Sequence, residues 1–351
     1  MYYSSEAYFR KRFNDEYKPF AFRADTQEEY ERWKRDFRDL LTKLLGHDKM
    51  VSCPLNPQSV SIERMDGYTR EKVIIDTEPG IKMPFYILKP YSAKQGEKLP
   101  AIIATHGHAS NGKNAVCGID KGNESLRKSI DDHNYDYGVQ LVKQGFIVFC
   151  PDARGFGERA EKHQQNDEKL LDSSCSYLSA MAIPLGMNVT GMWTWDLMHL
   201  VDYVSTRDDV NADKINCAGL SGGGLQSLWL AAMDERIKNA IISGYFYGFN
   251  QSLLEACNCW CNYFPGLWEN ADVGDIGALI SNRGVCIETG DKDGLNGRDG
   301  LDNVYPYVDV IKYAAKILNN ESNILHHVFH GHHKWCGEKS IPWILERNFK
   351  E

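Results

Sequence analysis

The 351-residue chain contains no run approaching ~20 apolar residues, so no segment is long enough to span a bilayer as a helix. It has no surplus of positive charge. Lys and Arg total 40 against 48 Asp and Glu, a formal net charge of −8, which removes the electrostatic case for nucleic acid or an anionic membrane as a partner. Residues 1–11 (Met1-Tyr2-Tyr3-Ser4-Ser5-Glu6 and onward) lack the apolar core of a secretory leader. There is no internal repeat and no low-complexity linker. Cysteine is not scarce, at ten, but Cys150, Cys217 and Cys286 fall inside apolar strand-like runs, where reduced and buried thiols are expected rather than a disulfide framework. These absences lead to the expectation of a soluble cytoplasmic protein. With 42% hydrophobic and 25% charged residues, the length suits one large α/β domain with insertions, or two ordinary domains.

Residues 1–55 read as a helical extension. Thr26-Gln27-Glu28-Glu29 has the pattern of a capping box, and Tyr30, Trp33, Phe37, Leu40, Leu41 and Leu44 recur at helical spacing before a stop at Gly46. Its apolar stripe offers a surface to the rest of the chain or to a second copy in a homo-oligomer. Strand patterns then fall at 60–64, 72–76 and 81–88, separated by Gly67 and Pro79-Gly80, an antiparallel lead-in. From Pro100 onward apolar strands (100–105, 145–150, 214–218, 239–244, 285–289, 324–329) alternate with helical stretches. Continuous apolar strands between helices predict a mostly parallel sheet covered on both faces, with ligands at the carboxyl ends of its strands. The domain is expected over 56–351, with cap insertions at about 157–185 and 245–280.

Gly219-Leu220-Ser221-Gly222-Gly223 stands where the strand 214–218 gives way to a helix-like stretch. A serine on such a turn is held in a strained conformation above the sheet edge, with the following helix aimed at any developing oxyanion. The Gly222 N–H, directly after it, is one expected oxyanion donor. A nucleophile on this kind of elbow takes its partners in the chain order serine, acid, histidine. After Ser221 come Gly290-Asp291-Lys292-Asp293, leaving the penultimate strand, and His330-Gly331-His332-His333, leaving the last. Residue types and order therefore allow Asp291 or Asp293 as the acid and His332 or His333 as the base. His326, His327 and His330 are expected to be packed, hydrogen-bonded residues. Glu288, inside a strand, reads equally as a paired buried carboxylate or as a support of the site.

Over roughly residues 85–340 the sequence resembles the dienelactone-hydrolase and acetyl-xylan-esterase branch of the α/β-hydrolases. The resemblance is carried by His106-Gly107-His108, Asp152-Ala153-Arg154-Gly155-Phe156-Gly157, Trp195-Asp196 and the elbow. It continues through Asp234-Glu235-Arg236-Ile237-Lys238, Ala271-Asp272-Val273-Gly274-Asp275-Ile276, Gly290-Asp291-Lys292-Asp293 and the histidine stretch to Trp335. It implies an α/β-hydrolase fold and a serine esterase using Ser221, Asp293 and His333, with Asp291 a turn residue. It also implies that the His108 N–H is the second oxyanion donor, with His106 a hydrogen-bonder beneath the loop. Two departures are informative. Dienelactone hydrolases carry a cysteine where this chain has Ser221, which favours ester hydrolysis. Acetyl xylan esterases carry Arg-Gly-Gln where this chain has Arg154-Gly155-Phe156.

Asp152 and Arg154 are expected to form a buried ion pair that shapes the site. Trp193, Trp195, Tyr245, Phe246, Tyr247, Trp260, Trp268 and Trp335 are available to line it, which suits a small acyl ester of a carbohydrate or aryl alcohol as substrate. No cofactor and no metal are expected. The histidines at 326–333 and Cys257-Asn258-Cys259-Trp260-Cys261 invite a metal site, but cysteines at every second position do not match the usual zinc spacing. The alternative of a prolyl-oligopeptidase-like peptidase is weakened because the ~90 residues before the core are too few for a propeller.

Overall fold

The computed structural model describes residues 3–15, 17–162 and 169–350. Among these, nine strands form one sheet in the order β1-β2-β3-β5-β4-β6-β7-β8-β9. β1 (Gln58–Arg64), β2 (Tyr68–Glu78) and β3 (Ile81–Pro90) make an antiparallel meander, turning at Gly67 and Gly80. β3 also pairs antiparallel with β5 (Ile147–Pro151). All remaining pairings, among β4 (Leu99–Thr105), β5, β6 (Val210–Leu220), β7 (Ile237–Ser243), β8 (Gly284–Gly290) and β9 (Ile324–Phe329), are parallel. The burial pattern follows from helices on both faces. β4, β5 and β8 are buried at every residue, whereas the edge strand β1 is exposed at every residue.

The chain leaves β4 for β5 on one side, then crosses back to place β6 on the other. The crevice beyond the carboxyl end of β4 is therefore the switch point where ligands of open α/β sheets bind. His106-Gly107-His108 follows β4 at that point, and the elbow follows β6 beside it.

The N-terminal helix Gln27–Leu44 buries Tyr30, Phe37 and Leu41. The Tyr30 hydroxyl donates to the Ala278 carbonyl (3.0 Å) and Arg38 Nε to the Ala232 carbonyl (2.8 Å), so the extension is fastened to the helices flanking the sheet. Its cap differs from the expected box. Thr26 accepts from the Glu29 N–H, but the Glu29 carboxylate reaches Asp25 N–H instead of Thr26 N–H. A reciprocal box occurs farther on, where Asp272 caps the helix Val273–Ala278 and Asp275 accepts from the Asp272 N–H. The first insertion supplies the helix Cys175–Ala182 and the second the short turns Asn250–Glu255, Trp260–Asn262 and Leu267–Asn270; residues 163–168 lie outside the described residues. No helix among the described residues is long and apolar enough to cross a membrane.

Candidate active site

Ser221 follows β6 with φ 61° and ψ −122°, a conformation costly for a residue with a side chain, on the order of 1–3 kcal/mol. Its N–H is tied to the Ser243 carbonyl (2.8 Å), which fixes the turn to β7. The flanking glycines are needed for approach rather than for φ. A Cβ on Gly219 would stand 2.5 Å from Thr105 Oγ1, and one on Gly223 would stand 2.1 Å from the Thr105 carbonyl. The turn is thus pressed against the end of β4, and Ser221 remains half-buried at the crevice.

The loop after β8 meets the loop after β9 through two Asp–His contacts. Asp293 Oδ2 accepts from His333 Nδ1 at 2.6 Å, while Asp293 Oδ1 accepts from the Leu295 N–H at 2.9 Å. Asp291 Oδ2 contacts His330 Nδ1 at 2.9 Å, and its other oxygen accepts from the Gly331 N–H. The pairs differ in setting: the Asp293 and His333 side chains are 2% and 22% exposed, those of Asp291 and His330 33% and 75%. The His333 ring lies over Gly244, where a Cβ would come within 2.9 Å of its Cε1. Gly244 itself follows β7, the strand whose last residue holds the Ser221 amide. His332 is exposed and its ring contacts only the Lys292 carbonyl (3.2 Å) among its hydrogen-bond partners. Hydrogen bonding of Asp291 to the Gly331 N–H and to His330 lowers its pKa. His330, expected among packed residues, is instead the exposed partner of Asp291, since it is the first residue beyond β9 rather than part of the strand.

Neither the Gly222 N–H nor the His108 N–H donates to a protein acceptor among the described residues. Tyr135 positions the His108 backbone by donating its hydroxyl proton to the His108 carbonyl at 2.6 Å. A Cβ on Gly222 would meet His108 Nδ1 at 2.7 Å, so the two residues are in direct apposition. His106 lies beneath. Its Nε2 accepts from the Ala153 N–H (3.0 Å) and its Nδ1 contacts the Gly107 carbonyl (2.9 Å). Burial, only partly opposed by Asp152, pushes His106 down to about 4, so it is neutral.

Asp152 and Arg154 do not pair with each other. Asp152 is buried against Lys113, accepting from both its backbone N–H and its ammonium, and Lys113 also contacts Glu158. Arg154 forks onto Asp196 (2.9 and 2.7 Å) and reaches Glu78 (2.7 Å). Two bridges replace one because each group meets a nearer partner of opposite charge, Asp152 the fully buried Lys113 and Arg154 the buried Asp196. Burial would raise the Asp196 carboxyl, but Arg154 and Arg159 outweigh it and hold the group well below the usual range. Lys113 and Glu78 carry no local signature that singles them out. Asp196 stood out within Trp195-Asp196, and its place as an acid in the mostly apolar helix Val189–Ser205 was the signal for a buried cationic partner.

Glu288 is fully buried and accepts from the Gly337 N–H (2.9 Å) and the Ser340 hydroxyl (2.6 Å), at the start of the last helix, Ser340–Phe349. Of the aromatic residues expected to line the site, Trp193, Tyr245, Phe246, Tyr247 and Trp335 are buried core, and Trp260 is exposed. The cysteine pattern has an unexpected outcome. Cys259 and Cys261 of the second insertion meet Cys175 of the first and the side chain of His108, with one ligand atom from each within 4.8 Å of the others. Cys257 is exposed and lies outside this group.

A serine on a strained strand-to-helix turn, set on a mostly parallel sheet covered by helices, defines the α/β-hydrolase class. The sequence profile of the Abhydrolase family matches residues 1–328, and the chain belongs to that family and is a hydrolase. It is 26% identical over 273 residues to "Putative hydrolase YtaP" of Bacillus subtilis (strain 168), spanning 76% of this chain and 84% of that protein. The fold matches a crystal structure described as a "putative acetyl xylan esterase" of Bacteroides fragilis NCTC 9343 with a TM-score of 0.77, at 19% identity over 94% of this chain and 83% of that one. It also matches a glucuronoyl esterase from Solibacter usitatus, with a TM-score of 0.66 and 13% identity over 93% and 95% of the two chains.

Proposed function

We propose that the protein is a serine carboxylic-ester hydrolase working through an acyl-enzyme, with Ser221 as nucleophile, His333 as base and Asp293 as the orienting acid. The observation that carries this reading is the contact of the buried Asp293 with the His333 ring over Gly244, the residue after Ser243, whose carbonyl holds the strained Ser221. Because the carboxylate can only accept, Nδ1 of His333 bears the proton and Nε2 is left to receive one. Ser221 Oγ attacks the ester carbonyl carbon as His333 Nε2 takes its proton, and the N–H groups of Gly222 and His108 hold the oxyanion. The proton then passes from His333 to the departing alcohol. Water repeats the sequence on the acyl-enzyme, releasing the acid and restoring Ser221.

A small acyl group on a carbohydrate or aryl alcohol is the proposed substrate class, supported by the esterases that share the fold. The buried state of most candidate lining aromatics leaves Trp260 as the exposed large ring on the second insertion, suited to stacking on a sugar or aryl face. The test is p-nitrophenyl acetate turnover by the wild type and by Ser221→Ala, His332→Ala and His333→Ala. Activity lost in Ser221→Ala and His333→Ala but kept in His332→Ala supports the assignment. Full activity in His333→Ala overturns it.

A further inference from the structure

We propose that His108 Nε2 and the Sγ atoms of Cys175, Cys259 and Cys261 bind one tetrahedral divalent metal ion of the zinc class, clasping both insertions to the loop that follows β4. Three thiolates and an imidazole form a closed set for zinc, with no open position for water. For Zn–S near 2.3 Å and Zn–N near 2.0–2.1 Å, the edges of such a tetrahedron are about 3.6–3.8 Å. His108 Nε2 lies 3.5 Å from Cys261 Sγ and 4.0 Å from Cys175 Sγ, and all four donor atoms lie within 4.8 Å of one another. A small inward movement of each side chain completes the coordination.

The surroundings are built to hold these donors. Asn262 Nδ2 donates to Cys261 Sγ (3.6 Å) and to the Cys259 carbonyl (2.9 Å), and its own carbonyl accepts from the Tyr245 hydroxyl (2.7 Å). An amide directed at a ligand sulfur is the kind of outer support that tunes metal thiolates. Thr190 Oγ1 donates to the Cys261 carbonyl, and Tyr135 holds the His108 carbonyl. Packing alone accounts for buried cysteines as small apolar groups, but it does not call for an imidazole nitrogen aimed among three of them. Binding forms three M–S bonds and one M–N bond and releases the three thiol protons to solvent. It also fixes the proton of His108 on Nδ1, the nitrogen facing Gly222. His108 thereby becomes a positioning residue whose backbone N–H is fixed by the metal; metal binding itself does not depend on the ester-hydrolase reading.

The test reads metal, not turnover. The full chain is purified under reductant, reconstituted with Zn²⁺ and desalted, and its metal content is measured. Replacement by Co²⁺ gives an independent spectrum. The expected result is one equivalent per chain, a tetrahedral d–d envelope with thiolate charge transfer, loss of the equivalent in Cys261→Ser and Cys175→Ser, and retention in Cys257→Ser. His108→Ala is expected to bind more weakly with a changed Co²⁺ spectrum. Wild type that retains no metal, with all ten thiols titrating freely, overturns the proposal. So does retention of the equivalent in Cys261→Ser, or a disulfide among the three cysteines in the reduced protein. The wild-type Co²⁺ spectrum decides the matter even where a variant misfolds.

Discussion

Two aspartate–histidine pairs join the loop after β8 to the loop after β9. Asp291–His330 and Asp293–His333 use the same chemistry, the same strand ends and similar distances, 2.9 and 2.6 Å. They differ in what surrounds them. The outer pair faces solvent, where Coulomb attraction is screened and a surface contact contributes little. The inner pair has a nearly inaccessible carboxylate, with its second oxygen satisfied by the Leu295 N–H, and a ring resting on the backbone beside the elbow. The setting of the inner pair favours one tautomer of its histidine, which suits it to the proposed role of base. Burial, not pairing, separates a candidate catalytic dyad from a loop clasp.

Breaking the inner arrangement has the largest expected effect. Ser221→Ala lowers kcat on an aryl acetate by roughly 10⁴-fold or more, measured per mole of folded protein. His333→Ala falls by a similar factor, whereas His330→Ala stays within about twofold. Asp293→Asn costs about 10³–10⁴ in kcat by favouring the wrong tautomer, and Asp291→Asn remains near wild type. Comparable losses in the two asparagine variants would remove the distinction between the pairs. Away from the pairs, Arg154→Met leaves Asp196 with one fewer cation in a buried setting, and denaturant unfolding is expected to show a loss of about 3 kcal/mol.

The smallest effect concerns a third histidine of the same stretch. His326 on β9 is pushed by burial, with a further push from Lys312, down to about 4. The unfolded chain protonates this ring near pH 6.5, the folded protein only near 4. Between those values the unfolded state holds the extra proton, so stability falls as the pH drops through the window and levels off below it. His326→Gln is expected to flatten that slope, by roughly 1.2 kcal/mol per pH unit at most.

Much of the sheet was legible because apolar strands between helices admit few arrangements, and Gly67 and Gly80 mark the meander. The elbow was legible for the same local reason, since strand, turn and helix are contiguous. Choosing Asp293 over Asp291 was not possible from residue types, because two positions on one loop differ only in where the tertiary structure points them. The partners of Asp152 and Arg154 were misread because Lys113 and Asp196 stand about 40 residues away on other elements. The cysteine cluster was hidden more deeply. Cys175 is 84 residues before Cys259, and His108 is 153 residues before Cys261, so no spacing rule applies.

Glu288 gives the chain a direction in time. Glu288 lies on β8 between β7 and the edge strand β9, and its carboxylate accepts from Gly337 and Ser340, which are synthesised some fifty residues later. A nascent chain that has finished β8 carries this acid without those donors, and it also lacks His333. The same short terminal stretch thus completes the interior of the sheet and supplies the proposed base.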